Sequence, residues 1–263
     1  MNSPGLGGTL ADYQEFKPET VQDIELGLKS DWEIGGVIGR LNVALFHSDF
    51  EDVHYAVPTT SASQMLGAPG IDGDGDPTND PTGGLFYSNA GESTVKGIEV
   101  DLTVAITEAL EVSFNGSYID KELTPEINLP TNWSGLPPGV IGAEEDIEAF
   151  VFLSAPDWSY NVGIEYTLPL DAKMGEVVFS SNYFKISEIH YGGTIHADEY
   201  STVDIRADWF GVLETDFDVA VYVTNLTDEE AIQGPSSSSA SFGFSSAIYN
   251  DPRMWGASVR YSF

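Results

Sequence analysis

The sequence predicts an all-β protein that forms part of an antiparallel transmembrane β-barrel, with about nine strands. Two observations predict this class. Apolar and polar residues alternate along nine segments, which is the period of a strand whose two faces meet different surroundings. The connections alternate between short turns and long loops, which is typical of outer-membrane barrels with short periplasmic turns and long extracellular loops.

The nine segments are recognised by apolar residues at every second position. One of them places Val203 and Ile205 on one face, and Asp204 and Arg206 on the other. Such strands are half polar, as expected for a sheet that separates an apolar medium from water. In chain order the segments lie at Ile24–Leu28, Leu41–Leu45, Ile98–Val104, Val112–Tyr118, Tyr160–Tyr166, Glu176–Ile189, Thr202–Phe210, Asp216–Val223 and Trp255–Phe263.

The connections differ in length and composition. Four of them are short, near residues 31–39, 107–109, 171–175 and 211–215. The other four, near residues 54–85, 123–157, 187–199 and 227–250, are long and rich in Gly, Pro, Ser and Asp. A soluble β-sandwich would show turn signals every ~8–12 residues at both ends of its sheets. The alternative interpretation from pattern alone is a large soluble antiparallel sheet with one face packed on a core.

Composition excludes several classes of protein. The chain has 263 residues, 10 Lys and Arg against 42 Asp and Glu, and a net charge of −32, which opposes general affinity for nucleic acid. A hydrophobic content of 41% excludes a disordered acidic tail. With no cysteine, the chain has no disulfide scaffold and no thiolate metal site. No apolar run approaches the ~20 residues of a membrane-spanning helix, and residues 1–8 lack the features of a secretion signal.

The number of strands predicts that this barrel is incomplete. In an antiparallel series of nine, the first and last strands run in the same direction. Closed bacterial barrels of a single chain have an even number of antiparallel strands. We therefore expect the chain to be the end of a larger barrel, with residues 1–263 as one unit and the earlier strands missing.

One polar face offers candidate pathway residues. Asp204, Arg206 and Asp208 share the polar face of one predicted strand, and Asp216 and Asp218 begin the next. In a wide barrel such residues project into the lumen. The alternative is a cross-strand ladder of ion pairs that only stiffens the wall.

An aspartate-rich loop offers a candidate calcium site. Asp72, Asp74 and Asp76 stand at alternate positions with Asp80 close behind, and glycines separate them. Calcium takes 6–8 oxygen ligands, which such a loop can wrap around the ion. The stretch departs from the EF-hand pattern, since Gly83 stands where that loop has its glutamate. A solvated acidic turn is the alternative interpretation.

Neither the histidines nor the known catalytic motifs indicate a specific function. The four histidines, His47, His54, His190 and His196, lie near the loop ends of strands without a fixed spacing, so scattered surface residues are the default interpretation and a haem or metal-chelate site is the alternative. The chain shows no nucleophile elbow, no HExxH zinc motif and no phosphate-binding loop. Nothing in the sequence predicts an enzyme.

Four short motifs, in order, give the chain a specific resemblance. Together they cover nearly its whole length, and they resemble the PE…ELGxK, NAG…GxE, NLxD and closing PRxxGxxxxxxF elements of TonB-dependent outer-membrane receptors. Here they read Lys17-Pro18-Glu19-Thr20 with Ile24-Glu25-Leu26-Gly27-Leu28-Lys29, Ser88-Asn89-Ala90-Gly91 with Lys96-Gly97-Ile98-Glu99, Asn225-Leu226-Thr227-Asp228, and Tyr249-Asn250-Asp251-Pro252-Arg253 before the terminal Val259-Arg260-Tyr261-Ser262-Phe263.

The resemblance implies a 22-stranded barrel filled by an N-terminal plug, a size class with a plugged lumen. It implies residence in the outer membrane of a Gram-negative bacterium, contact with its lipid, and import of a scarce small molecule or metal chelate such as an iron–siderophore complex. The TonB complex would be reached only through the plug, which lies outside this sequence. The closing strand, with Trp255, Val259, Tyr261 and Phe263, resembles the signal that the barrel assembly machinery recognises.

Two other functions stay open at this point. One is a soluble, calcium-dependent, carbohydrate-binding β-sandwich, which would need balanced turn lengths or a second alternating-aspartate loop. The other is a non-functional, truncated receptor remnant, which would expose two long sheet edges.

Overall fold

The computed structural model describes residues 17–58, 85–89, 91–125, 155–190, 196–235 and 246–263, and strands dominate it. In this part of the chain, no helix is long and apolar enough to cross a membrane. The strands are β1 (Thr20–Ile34), β2 (Val37–Glu51), β3 (His54–Pro58), β4 (Leu85–Asn89), β5 (Gly91–Thr107), β6 (Leu110–Pro125), β7 (Trp158–Leu168), β8 (Glu176–Ile186), β9 (Ile189–His190), β10 (His196–Ala197), β11 (Tyr200–Phe210), β12 (Phe217–Thr224), β13 (Ile232–Pro235), β14 (Ala247–Tyr249) and β15 (Met254–Tyr261).

Nine long strands form one antiparallel sheet in the order β1-β2-β5-β6-β7-β8-β11-β12-β15. Each pairs with the next long strand along the chain, so the sheet is a simple meander. The nine predicted segments correspond to these nine strands, which confirms the predicted fold class. Because every neighbour is antiparallel, the edge strands β1 and β15 run in the same direction.

The register of the sheet is staggered. Directly opposed residues form a row across all nine strands that begins at Trp32, near the turn side of β1, and ends at Trp255, near the loop side of β15. In a sheet without stagger, such a row would stay at one distance from the turns. Closing a sheet into a barrel requires this shear, because the strands tilt against the barrel axis. The row is Trp32, Gly39, Val104, Val112, Ile164, Ser181, Ile205, Val223 and Trp255.

The short connections all lie at one end of the sheet, which we call the turn end. Gly35 and Gly36 join β1 to β2 with φ angles of 63° and 86°, the left-handed geometry that two-residue hairpins need. Between β7 and β8, Asp171 accepts a hydrogen bond from the Lys173 amide at 3.0 Å and caps a short 3-10 turn. Between β11 and β12, the Asp218 carboxylate accepts one from the Gly211 amide at 2.9 Å.

The long connections lie at the opposite end, which we call the loop rim. Three of them carry two-stranded ladders that the sequence pattern did not predict, namely β3 with β4, β9 with β10, and β13 with β14. These ladders are too short for an alternating pattern to reveal. They continue the protein beyond the main sheet and shape its loop rim.

The two faces of the sheet differ in chemistry. The apolar face exposes large side chains to its surroundings; Ile24 is 75% exposed, Leu26 69% and Val259 67%. The polar face carries Asn, Asp, Ser and Arg side chains along the same strands. A soluble protein would bury such an apolar face, so this one fits contact with lipid. The nine long strands form one sheet rather than the two facing sheets of the carbohydrate-binding sandwich that the sequence left open.

Aromatic side chains frame the apolar face at both ends. Near the loop rim, Tyr160 stacks on Trp158 with ring centroids 5.8 Å apart, and the Lys185 ammonium lies 5.7 Å from the Trp158 ring centroid. Near the turn end stand Tyr166 and Tyr261. The path along β7 from Trp158 to Tyr166 is roughly 26 Å at ~3.3 Å per residue, and a strand tilt of ~35–45° reduces its height to roughly 20 Å, which fits within the ~25 Å apolar band of outer-membrane barrels. Such girdles are typical of the two membrane interfaces.

Two asparagines fasten the loop rim, and both belong to motifs of the sequence. The first asparagine, Asn89, ties the residues just before β1 to the loop between β2 and β5, and we call this set of contacts the Asn89 clasp. The Asn89 amide group donates to the carbonyls of Lys17 at 3.0 Å and Asp52 at 2.7 Å. The Lys17 ammonium forms an ion pair with Asp52 at 2.9 Å, and the Glu19 carboxylate accepts from the His54 amide.

The second, the Asn225 clasp, organises the last loop. Asn225 is buried and has a φ of 48°. Its side chain donates to the carbonyls of Glu229 at 2.8 Å and Asp251 at 3.1 Å, and it accepts from the Glu229 amide at 2.9 Å. Arg253 adds a backbone hydrogen bond to the Asp228 carboxylate at 2.9 Å. The clasp therefore holds both ends of the loop between β12 and β15 together.

The apolar face yields a test of its lipid contact. Val221 lies in the middle of β12 on the apolar face, and we expect Val221→Arg to lower the free energy of unfolding in lipid vesicles by ~2–4 kcal/mol. Ser258 on β15 is an exposed residue of the polar face, so Ser258→Arg is the control and should cost less than about 1 kcal/mol. Equal costs at the two positions would contradict the assignment of the faces.

The Asn225 clasp yields a second test. Asn225→Gly keeps the left-handed backbone at no steric cost but leaves two carbonyls and one amide without their partner, so we expect a loss of about 1–3 kcal/mol in unfolding free energy. Asn225→Ala should lose more, because it adds backbone strain. Thr227→Ala, which removes a long 3.5 Å contact to the same side chain, is the control and should be nearly neutral. Equal stability of Asn225→Gly and the parent protein would show that the clasp is not structural.

Candidate functional site

A groove of about 520 Å³ crosses the polar face over β6, β7, β8, β11 and β12. Side chains of the polar face line it, among them Glu111, Ser113, Glu165, Asn182, Asp204, Arg206 and Tyr222. The groove and the staggered register fit a sheet that curves towards its polar face. In a closed barrel, this face borders the lumen.

Arg206 is the centre of the charged part of the groove. Its guanidinium binds the Asp208 carboxylate through two hydrogen bonds, of 2.7 and 2.6 Å. It also lies over the Tyr222 ring, 5.6 Å from the centroid. Tyr222 in turn covers Gly256 on β15, where any β-carbon would collide with the ring. A row of contacts therefore runs from β11 through β12 to β15. Only glycine at position 256 leaves room for the Tyr222 ring.

The predicted ion-pair ladder takes a different form. The sequence left open a ladder between strands, whereas Arg206 and Asp208 pair within one strand, because neighbours two apart share a face. Asp204 accepts a hydrogen bond at 2.8 Å from the backbone amide of Asn225 and so supports the clasp. Thr224 also lines the groove, and among the described residues its hydroxyl is buried without a partner.

The two remaining polar residues lie at the turn end. Asp218 is on the polar face of β12, opposite Arg260, and its carboxylate caps the turn through Gly211. Asp216 stands one residue before β12, which begins at Phe217. Its carbonyl accepts from the Ser262 amide at 3.0 Å, which ties the turn to the end of the chain.

The closing strand presents its predicted residues outward. Trp255 is 74% exposed on the apolar face, and Val259 and Tyr261 follow it on the same side. Tyr261 contacts Phe217 across the strands, with centroids 4.9 Å apart, and stacks on Phe263 at 6.3 Å. Because β15 is an edge strand among the described residues, both its apolar face and its backbone edge are accessible.

The loop rim brings together two histidines that the sequence left scattered. His190 of β9 and His196 of β10 are directly opposed in their ladder, and their ring centroids are 6.2 Å apart. His54, in contrast, is engaged in the Asn89 clasp, where its ring contacts the Lys17 carbonyl at 2.8 Å. The signal that could have found the pair is the placement of His190 and His196 next to Ile189 and Ala197, as in a short hairpin.

A cavity of about 540 Å³ lies beside this hairpin, between the loop that follows β8 and the loop that follows β12. Carboxylates dominate its polar lining, and volumes of ~300–1,000 Å³ are typical of small-molecule sites. The acidic lining favours a cationic or metal-bearing guest. The lining residues include His196, Asp198, Glu199, Tyr200, Glu229, Glu230 and Tyr249.

The candidate calcium loop lies elsewhere. Asp72, Asp74, Asp76 and Asp80 are outside the described residues, so the calcium site stays a prediction. Within the described ranges, no group of three or more His, Cys, Asp or Glu residues could hold a metal ion.

The chain was compared with known proteins. The family described as TonB dependent receptor-like, beta-barrel, matches residues 2–226. No functionally curated protein sequence shows significant similarity to the chain.

Three solved structures share the fold. The ferric yersiniabactin uptake receptor FyuA from Yersinia pestis superposes with a TM-score of 0.58 at 18% identity, covering 92% of this chain and 30% of the receptor. The siderophore receptor PiuA from Acinetobacter baumannii gives 0.58 at 18% identity, with 94% and 28% covered. The copper transporter OprC gives 0.58 at 13% identity, with 99% and 34% covered.

The chain thus spans about a third of the length of these solved structures. Its nine-stranded meander, with turns at one end and long loops at the other, corresponds to a portion of their barrels. Since the family match covers most of its length, the chain belongs to the TonB-dependent receptor β-barrel family.

Proposed function

We propose that the chain forms the last nine strands of a TonB-dependent receptor barrel in the outer membrane of a Gram-negative bacterium. The receptor would import a scarce metal-bearing nutrient, such as an iron–siderophore complex. The observation that carries this proposal is the combination of an exposed apolar face between two aromatic girdles with a polar face that carries a groove. Lipid contact on one side and a hydrated pathway on the other are the two requirements of a transport barrel.

The rest of the receptor would supply the further strands and the plug of a complete barrel. Nine antiparallel strands leave parallel edges at β1 and β15, so closure with antiparallel neighbours requires further strands. The plug that fills such a lumen and contacts the TonB complex would also come from outside this chain. The exposed edge and apolar residues of β15, from Trp255 to Phe263, would be recognised by the barrel assembly machinery during insertion.

The charge of the chain supports a metal-bearing cargo. The cavity at the loop rim is lined by Asp198, Glu199, Glu229 and Glu230, and the chain as a whole carries a charge of −32. A cleft lined by one sign of charge concentrates ligands of the opposite sign. The solved structures named above include an uptake receptor for ferric yersiniabactin and a copper transporter, and both of these named cargoes contain a metal ion. Transport requires binding and release but no covalent chemistry, so we propose no enzymatic activity.

Uptake of labelled iron tests the proposal. The probe is ⁵⁵Fe loaded onto the siderophores in the medium of an iron-starved culture of the host bacterium. We expect uptake to fall when the gene of the receptor that contains this chain is deleted, to return on complementation, and to require TonB. Unchanged uptake in the deletion strain, for both ⁵⁵Fe and ⁶⁴Cu, would contradict transport of either metal and would favour a non-functional remnant.

Adjacent positions on β8 provide a matched pair of variants for the same assay. Asn182 lines the groove on the polar face, so Asn182→Trp should narrow the pathway and slow uptake several-fold. Tyr183, the next residue of β8, lies on the apolar face opposite Val203 and outside the groove lining, so Tyr183→Trp should leave uptake unchanged. Immunoblots of the outer membrane establish equal amounts of both variants. Equal uptake by both variants would show that the polar face does not border the pathway.

A further inference from the structure

We propose that His190 and His196 form a two-imidazole site for a divalent transition-metal ion of the copper, nickel or zinc type, with its remaining coordination positions open. The site lies on the loop rim, where a receptor first meets its cargo. The inference deepens the proposed function, because it names metal-binding groups at the place of capture. It is tested by binding to the purified protein, which does not depend on transport.

The geometry of the pair suits one shared ion. The two residues are directly opposed in the β9–β10 ladder, so their side chains leave the same face. Their rings are inclined by 33° with centroids 6.2 Å apart. With metal–nitrogen bonds of ~2.0–2.1 Å, two imidazoles on one ion place their centroids roughly 5–6 Å apart. The observed centroid separation is therefore close to that of two imidazoles on one ion.

The hairpin is anchored through its opposite face. Ile189 and Ala197, the neighbours of the two histidines, are buried with Ile186 in a small apolar cluster against which Phe184 and Tyr200 pack. The imidazoles project away from this cluster, and their side chains are 65% and 54% exposed. The buried face thus fixes the backbone positions of both histidines, which lowers the ordering cost of binding an ion.

Carboxylates stand close to both rings without occupying them. The His190 Nε2 atom lies 3.7 Å from a Glu188 oxygen, and the His196 Nε2 atom lies 3.7 Å from an Asp198 oxygen. Both distances exceed hydrogen-bond length, so neither nitrogen is held by its carboxylate. Nearby negative charge favours a cation at the pair, and the acidic cavity that His196 lines adjoins it.

The donor set determines the kind of ion. Imidazole nitrogen suits copper, nickel and zinc, and affinity at such sites peaks at copper(II). Calcium and magnesium prefer oxygen ligands and would not need the histidines. Two protein ligands leave the coordination sphere incomplete, in keeping with the lack of a three-residue metal group among the described residues. An open sphere lets a chelator or water hold the same ion, as capture and release of cargo require.

Calorimetric titration of the purified, detergent-solubilised receptor with zinc chloride at neutral pH tests the site. We expect His190→Ala and His196→Ala each to weaken the tightest zinc binding by about tenfold or more, or to abolish it. The double variant should bind no more tightly than either single variant, and its loss should differ from the sum of the two single losses, because the two residues act on one ion. His47→Ala is the matched control, since His47 lies on β2 beside Asp49 and away from the hairpin, and it should bind zinc like the parent protein.

A second measurement does not rely on affinity. Electron paramagnetic resonance of the copper(II)-loaded protein should show coupling to two imidazole nitrogens, and each single histidine variant should show one fewer. Both histidines are exposed, so the variants should keep the thermal midpoint of the parent protein. A calcium titration should be identical in the parent and in all histidine variants.

The outcomes separate the site from the proposed function. Zinc binding that is unchanged in His190→Ala and His196→Ala, or lost equally in His47→Ala, would overturn the two-imidazole site. Intact zinc binding in a receptor whose deletion affects no metal uptake would support the site and contradict the transport proposal. Weakened zinc binding together with slower metal uptake in the same variants would support both.

Discussion

A strand in contact with lipid must satisfy all its backbone hydrogen bonds through neighbouring strands, and the rest of this structure follows from that constraint. It explains why nine strands pair in simple order and why short turns join them at one end. It also explains the staggered register from Trp32 to Trp255, since a tilted, closing sheet is the arrangement that leaves no edge in the membrane. The apolar and polar faces are then fixed, because strand residues alternate sides.

The same constraint places the long acidic loops, which cannot lie within lipid, at the loop rim. Loops there are long and acidic, so without fixed points they would not hold a defined cavity. The motif residues Asn89 and Asn225 supply those points, and each binds backbone groups that lie far apart in the sequence. The cavity beside His196 lies between two loops, one of which the Asn225 clasp holds at both ends. Both motif residues therefore act as structural fastenings of the loop rim, and Asn225 supports one of the loops that line this cavity.

Sequence reasoning recovered the nine strands and their two faces, because the period of two is a direct consequence of strand geometry. It could not recover the β9–β10 ladder, whose two-residue strands are too short to show a period, and so it left His190 and His196 scattered. The alternating pattern places Asp204 and Asp218 on the polar face, but their hydrogen bonds to Asn225 and Gly211 depend on turn geometry that no pattern encodes.

The central claim is that one end of this sheet faces the outside of the cell and the other faces the periplasm. Because the chain has no cysteine, single cysteines can report on each end in a receptor with no other cysteine. The direct measurement is labelling of intact cells with a membrane-impermeant maleimide, using Ser246→Cys at the loop rim and Thr215→Cys at the turn end. The account predicts labelling at position 246 in intact cells and at position 215 only after the outer membrane is opened. Labelling of position 215 in intact cells, or of neither position until lysis, would contradict it.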